Sequence, residues 1–191
     1  QLRNPSSVIA AATLSVATKD ASAKVCDGPT TVATPQIAAG RVVGEKTFVG
    51  GTKTPGFKST HVLSFTTAGQ IPKAEGTILL LLPASFSESP TEKFTMEEPA
   101  ASFTTPGSNT EVKRTAFDDE RTLTVTMDGT GGNLAVPQET SVVLSVDNVR
   151  TPSSVVATVS TSGITTQDAA GGNIDTVASG VATDVILPGS L

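Results

Sequence analysis

The segment Arg121–Asp128, RTLTVTMD, alternates strictly between apolar and hydroxyl residues. Successive side chains of an extended chain point to opposite faces, so Leu123, Val125 and Met127 share one face and Thr122, Thr124 and Thr126 the other. A helix would scatter the same residues around its circumference. HVLSFTT (His61–Thr67), SVVLSVD (Ser141–Asp147) and VVATVST (Val155–Thr161) repeat the pattern. Strands with one dry face need a second layer to cover it, which constrains the chain to packed sheets.

Turn signals support this reading. Gly50-Gly51, Pro55-Gly56, Pro106-Gly107, Gly131-Gly132 and Gly171-Gly172 punctuate the chain at strand-like intervals. No window of a dozen residues sustains helical periodicity with caps, and in the Ala-rich stretch from Ile9 to Ala23 the residues Thr13, Val16 and Thr18 favour a strand. The expected fold is all-β: an immunoglobulin-like, Greek-key antiparallel β-sandwich with an N-terminal strand-bearing extension. Strands are expected near 8–18, 41–49, 60–67, 76–82, 92–96, 110–116, 121–127, 140–147, 154–161 and 181–187. Ile78–Leu82, five apolar residues stopped by Pro83, reads as a strand buried on both faces. Lys19–Gln36, with Pro29 and Pro35, reads as a connector, which divides the chain into an extension (1–24) and a sandwich domain (25–191).

TMDGTGGNL (Thr126–Leu134) and TQDAAGGNI (Thr166–Ile174) share Thr, Asp, Gly-Gly and Asn at matching positions. Shared turn chemistry explains the echo, because Gly and Asn tolerate positive φ.

Three further stretches carry a family resemblance. HVLSFTTAGQIP, GTILLLLPASF, and SVVLSVDNV followed by VVATVSTSG resemble segments of Thr-rich immunoglobulin-like sandwich modules of secreted cell-surface or extracellular filament proteins. The resemblance runs from Gly56 to Asp175. The chain departs from the pattern at Asn148–Pro152, where a direct Asn-Pro is expected, and at Leu79–Leu82, which is more apolar than the usual Thr alternation. The resemblance implies a structural or adhesive role on a cell surface and supplies no catalytic residues.

Composition narrows the chemistry. Thr and Ser make up about a quarter of the 191 residues, whereas charged residues are 16% and aromatics 4%, all Phe. Hydroxyls therefore replace charge as the main solubilising group. A net charge of −5 argues against nucleic acid, which needs a basic face. No apolar run approaches the ~20 residues of a membrane helix. The chain opens at Gln1 rather than Met, which reads as a segment removed ahead of it or as a cut from a longer chain.

Reactive constellations are sparse, and no enzymatic activity and no cofactor are expected. His61, the single histidine, sits in a strand pattern with no nucleophile motif beside it. One Cys and one His exclude a Cys/His zinc site. Cys26 is read as buried and inert. Glu97-Glu98 and Asp118-Asp119-Glu120 are adjacent acids in loops, not carboxyls facing across a cleft. Asp128, Asn133, Asp168, Asn173 and Asp175 offer hard oxygens on Gly-rich turns and are the weak calcium candidates, although they lack EF-hand spacing. Thr30, Thr31 and Thr34, with Thr104 and Thr105, lie in Thr/Ser/Pro clusters and are the candidate O-glycan acceptors.

The N-terminal strand, with Val8, Ala10, Ala12, Leu14 and Val16 at alternate positions, has two readings. It is the first strand of its own sandwich, or it adds to the sheet of a neighbouring copy. Repeated head to tail, the second arrangement builds an open polymer. The expected function is a structural subunit of an extracellular filament or surface coat, its partners copies of itself and attached glycans. The alternative is an adhesion or ligand-binding module of a larger cell-surface protein.

Overall fold

The computed structural model describes residues 7–83, 94–107, 109–118, 121–156 and 161–189. These form eleven strands and no helix: β1 (Ala12–Lys19), β2 (Val25–Thr34), β3 (Val43–Gly50), β4 (Lys58–Thr66), β5 (Thr77–Leu81), β6 (Thr95–Thr105), β7 (Val112–Phe117), β8 (Thr122–Met127), β9 (Ser141–Arg150), β10 (Thr161–Gln167) and β11 (Asn173–Thr183). β1 and β2 make a separate two-stranded ribbon, and the other nine pair in the order β6-β9-β4-β3-β11-β10-β5-β8-β7. This long sheet folds over on itself. β6, β9, β4 and β3 form one layer, and β11, β10, β5, β8 and β7 form the other.

The alternation in the sequence becomes the core. Phe48, Leu63, Phe65, Val142, Leu144 and Val146 pack from one layer against Ile78, Leu80, Leu123, Val125, Met127 and Ile164 from the other. All twelve are at most 2% exposed. Thr126 is buried as well, although its place in the alternation predicts a wet face. The two ends of the long sheet meet: β6 lies along β7, where Ala101 N–H donates to Thr115 Oγ1 at 3.0 Å. The other seam joins β3 to β11 in parallel register, through Ala182↔Thr47 and Thr183↔Phe48. The expected all-β sandwich with an N-terminal strand-bearing extension is therefore observed, and this one pairing is parallel.

Three readings of the sequence need correction. Ile78–Leu82 is not buried on both faces: Ile78, Leu80 and Leu82 point inward, while Leu81 is 40% exposed, because no third layer covers β5. Lys19–Gln36 is not a connector but contains β2, and the expected boundary between residues 24 and 25 falls inside the ribbon. A strand also runs across 173–180, ahead of the strand expected near 181–187.

The repeated turns use the same chemistry. Asp128 Oδ1 accepts from Thr130 N–H (2.9 Å), and Asp168 Oδ1 accepts from Ala170 N–H (2.9 Å) and Gly172 N–H (2.8 Å). Gly131 and Gly171 hold positive φ at equivalent positions.

Candidate functional site

The ribbon stands apart from everything else in the molecule. Every residue of β1, and every residue of β2 except Thr34, is exposed. The pairing Ala12↔Thr34, Leu14↔Val32 and Val16↔Thr30 places Ala12, Leu14, Val16 and Val32 on one face, with Thr30 and Thr34 among them. Thr13, Ser15, Thr31 and Ala33 share the other. Leu14 is 57% exposed and Val16 52%. At the root, an apolar cleft of about 700 Å³ opens between Ile9, Ala12 and Leu14 on one side and Pro35 and Ile37 on the other. Isolated hairpins are marginal in water, and a stable sheet needs a third strand or a covering layer.

Local chemistry holds the ribbon's shape. At the tip, Asp20 Oδ1 accepts from Ser22 N–H (2.8 Å) and Lys24 N–H (2.9 Å), and Ala23 takes a positive φ. At the root, Ile9 and Ile37 exchange both backbone bonds, and Val8 N–H donates to Asn173 O at 3.0 Å. The two long edges differ. β2 is broken by Gly28-Pro29, which sits opposite a register shift in β1, and a side chain at Gly28 would strike Val16 O. Proline and bulges are the usual guards of an exposed edge. β1 carries no proline, and among the described residues nothing pairs with its outer edge.

Of the expected assembly residues, Ala12, Leu14 and Val16 lie in β1, while Val8 and Ala10 precede it. β1 is not a strand of its own sandwich; it pairs with β2. The second strand was hidden by Gly28-Pro29. Cys26 is exposed in β2 rather than buried, because no layer covers the ribbon, and its thiol lies 3.8 Å from Lys24 O.

The other candidates lie elsewhere or are already engaged. Thr30, Thr31 and Thr34 fall within β2, and Thr104 and Thr105 within β6, so these acceptor candidates sit on strands. Thr34 Oγ1 donates to Ala12 O at 3.0 Å. Of the calcium candidates, Asp128 and Asn133 belong to one turn, Asp168 and Asn173 flank the other, and Asp175 lies within β11. Thr130, through its N–H and hydroxyl, holds the Asp128 carboxyl below the usual range. The Ser7 hydroxyl and the Gly172 and Ala170 N–H groups do the same for Asp168. Asn133 Nδ2 donates to Glu111 Oε2 at 3.2 Å, and Asn173 Oδ1 accepts from Gln167 Nε2 at 3.0 Å. Asp175 is fully buried and accepts from Ala68 N–H (3.1 Å) and Gly69 N–H (2.9 Å), pinning that loop to β11. A side chain at Gly40 would collide with the same carboxylate. Among the described residues no group of three or more His, Cys, Asp or Glu is placed to hold a metal.

His61 is fully buried on β4, its ring 5.1 Å from that of Phe48 and 5.8 Å from that of Phe94. Nε2 has no partner among the described residues, and Gly50 packs so close that any side chain there would meet the ring. Burial pushes the imidazole pKa below its ordinary value, opposed by a hydrogen bond with Ser59 and by the nearby charge of Asp184. At this end of the sandwich Val156 bridges Ile186, so Val155 and Leu187 oppose one another, 50% and 48% exposed. Phe57, on the adjoining loop, is 55% exposed.

No helix among the described residues is long and apolar enough to cross a membrane. No family model matches the chain, and no curated protein does. Among solved structures the chain is similar to a non-cellulosomal cohesin from the hyperthermophilic archaeon Archaeoglobus fulgidus, at 13% identity and a TM-score of 0.37, across 77% of this chain and 93% of that one.

Proposed function

We propose that this chain is a non-catalytic structural module, displayed outside the cell, that assembles with copies of itself by strand addition through its N-terminal ribbon. The observation that carries this reading is the contrast in strand edges. The sandwich closes its own edges where β6 meets β7, whereas the ribbon presents an unguarded strand and an uncovered apolar face. Backbone groups on such an edge give affinity, and alternate side chains give register. The external location rests on the hydroxyl-rich, weakly charged strands. The absence of catalysis rests on a buried single histidine and on carboxylates engaged in turns.

Removing residues 1–36 tests this. The buried apolar residues all lie between Val42 and Ile186, so the sandwich keeps its packing. Analytical ultracentrifugation and electron microscopy of the full chain are expected to show assemblies that the shortened chain does not form. Assemblies of equal size from the shortened chain would overturn the reading. A second reading, a binding module of a larger surface protein, draws on Phe57, Val155 and Leu187, each about half exposed. Loss of partner binding on Phe57→Ser, with self-assembly intact, favours that alternative.

A further inference from the structure

We infer that the outer edge of β1 pairs antiparallel with β1 of a second copy, about a two-fold axis through Leu14, to give a four-stranded sheet in the order β2-β1-β1-β2. This deepens the reading that the ribbon is the assembly element and rests on it.

The partner is a second copy because β1 is complementary to itself. Ala12-Thr13-Leu14-Ser15-Val16 reads apolar, hydroxyl, apolar, hydroxyl, apolar in either direction. Antiparallel pairing centred on Leu14 sets Leu14 opposite Leu14 and Ala12 opposite Val16. Ala12, Leu14 and Val16 of both copies then stay on one face and Thr13 and Ser15 on the other; on β2, Val32 continues the first face, flanked by Thr30 and Thr34, and Thr31 continues the second. A shift of one residue along either chain would set Leu14 against a hydroxyl residue and break both faces.

The choice of edge follows from the guards. Gly28-Pro29 interrupts β2, whereas β1 carries only Lys19, at its tip end. The need for a partner follows from the strand count. Two strands with both faces in water are marginal, and four strands with one continuous apolar face are not.

The symmetry follows as well. An isologous contact uses the same patch on both copies and closes after two, so it builds a dimer. A polymer needs a second contact elsewhere. Area sets the strength: one shared strand edge buries less than the ~800 Å² per partner of a standard interface, so this dimer is reversible and concentration-dependent.

Cysteine trapping tests the register in the full chain, with Cys26→Ser removing the native thiol. Leu14→Cys should oxidise to a covalent dimer as the dominant product. Ala12→Cys and Val16→Cys should cross-link when mixed but remain monomeric alone, since each lies four residues out of register with its own copy. Sedimentation of the Cys26→Ser chain before oxidation reports assembly independently. Assemblies without the Leu14 cross-link overturn the two-fold pairing while leaving the ribbon as the assembly element. A chain that stays monomeric at every accessible concentration overturns both.

Discussion

β9 and β1 are written in the same alphabet and end in opposite environments. In Ser141–Arg150, Val142, Leu144 and Val146 sit at every second position and are fully buried. In Ala12–Lys19, Leu14 and Val16 sit at every second position and are more than half exposed. β9 lies between β4 and β6 with a second layer beneath it, and β1 has β2 alone. Alternation therefore specifies a strand with a dry face without specifying what dries it. In the sandwich the cover comes from the same chain; in the ribbon nothing described here supplies it.

The sharpest way to break this comparison is to remove equivalent side chains. Leu144→Ala should cost about 3–5 kcal/mol in urea denaturation, because the site cannot collapse in a packed sandwich. A loss below about 1 kcal/mol would mean the two layers are not closely packed. Asp175→Ala comes next, at about 2–3 kcal/mol, since it orphans the N–H groups of Ala68 and Gly69. Hydrogen exchange should localise that damage to the loop after β4 and leave the ribbon unchanged.

Acid produces a smaller effect, confined to the sandwich. His61 is held neutral by burial, so its pKa in the fold lies below that of the unfolded chain, about 6.5. Above that value both states are neutral and the sandwich has its full stability. As pH falls through it towards the lowered value, the unfolded chain takes up a proton that the fold resists, and stability drops. Denaturation midpoints across this window should fall for the natural chain and flatten for His61→Phe. An equal slope in both would place the sensitivity in the carboxylates.

The smallest effect belongs to the ribbon. Leu14→Ala in dilute solution should change sandwich stability by less than about 0.5 kcal/mol, because its side chain already meets water. The same substitution should weaken self-association measured by sedimentation. If dilute stability falls by as much as for Leu144→Ala, Leu14 is covered within its own chain and the contrast collapses.

The core was legible wherever the inward residue was Leu, Ile, Val, Met or Phe, as in β4, β5, β8 and β9. It was not legible in β10 and β11. There an inward position is filled by Thr166, whose hydroxyl accepts from Asp175 N–H at 3.1 Å inside the sandwich. A hydroxyl with a backbone partner can fill an interior position, and composition hides it. β2 was illegible for another reason: Gly28-Pro29 signals a loop by rule, yet an edge strand tolerates proline at a bulge. Ala12, Leu14 and Val16 were legible as a strand, but the strand they pair with lay in the segment read as a connector.

Chain direction gives the β3–β11 seam a mechanical meaning. The chain enters the sandwich where Gly40 bridges Asp175 in parallel, runs up β3, and leaves beyond Thr183 at the far end of β11. A pull on the incoming and outgoing chain slides these two strands along one another, so the bonds between them share the load in shear. The ribbon meets the same pull differently. Force enters at its open end, at the Ile9–Ile37 bridge, and peels one pair at a time towards the tip. Peeling loads one pair at a time and shear loads the seam together, so a pull is expected to lengthen the arm before the body yields.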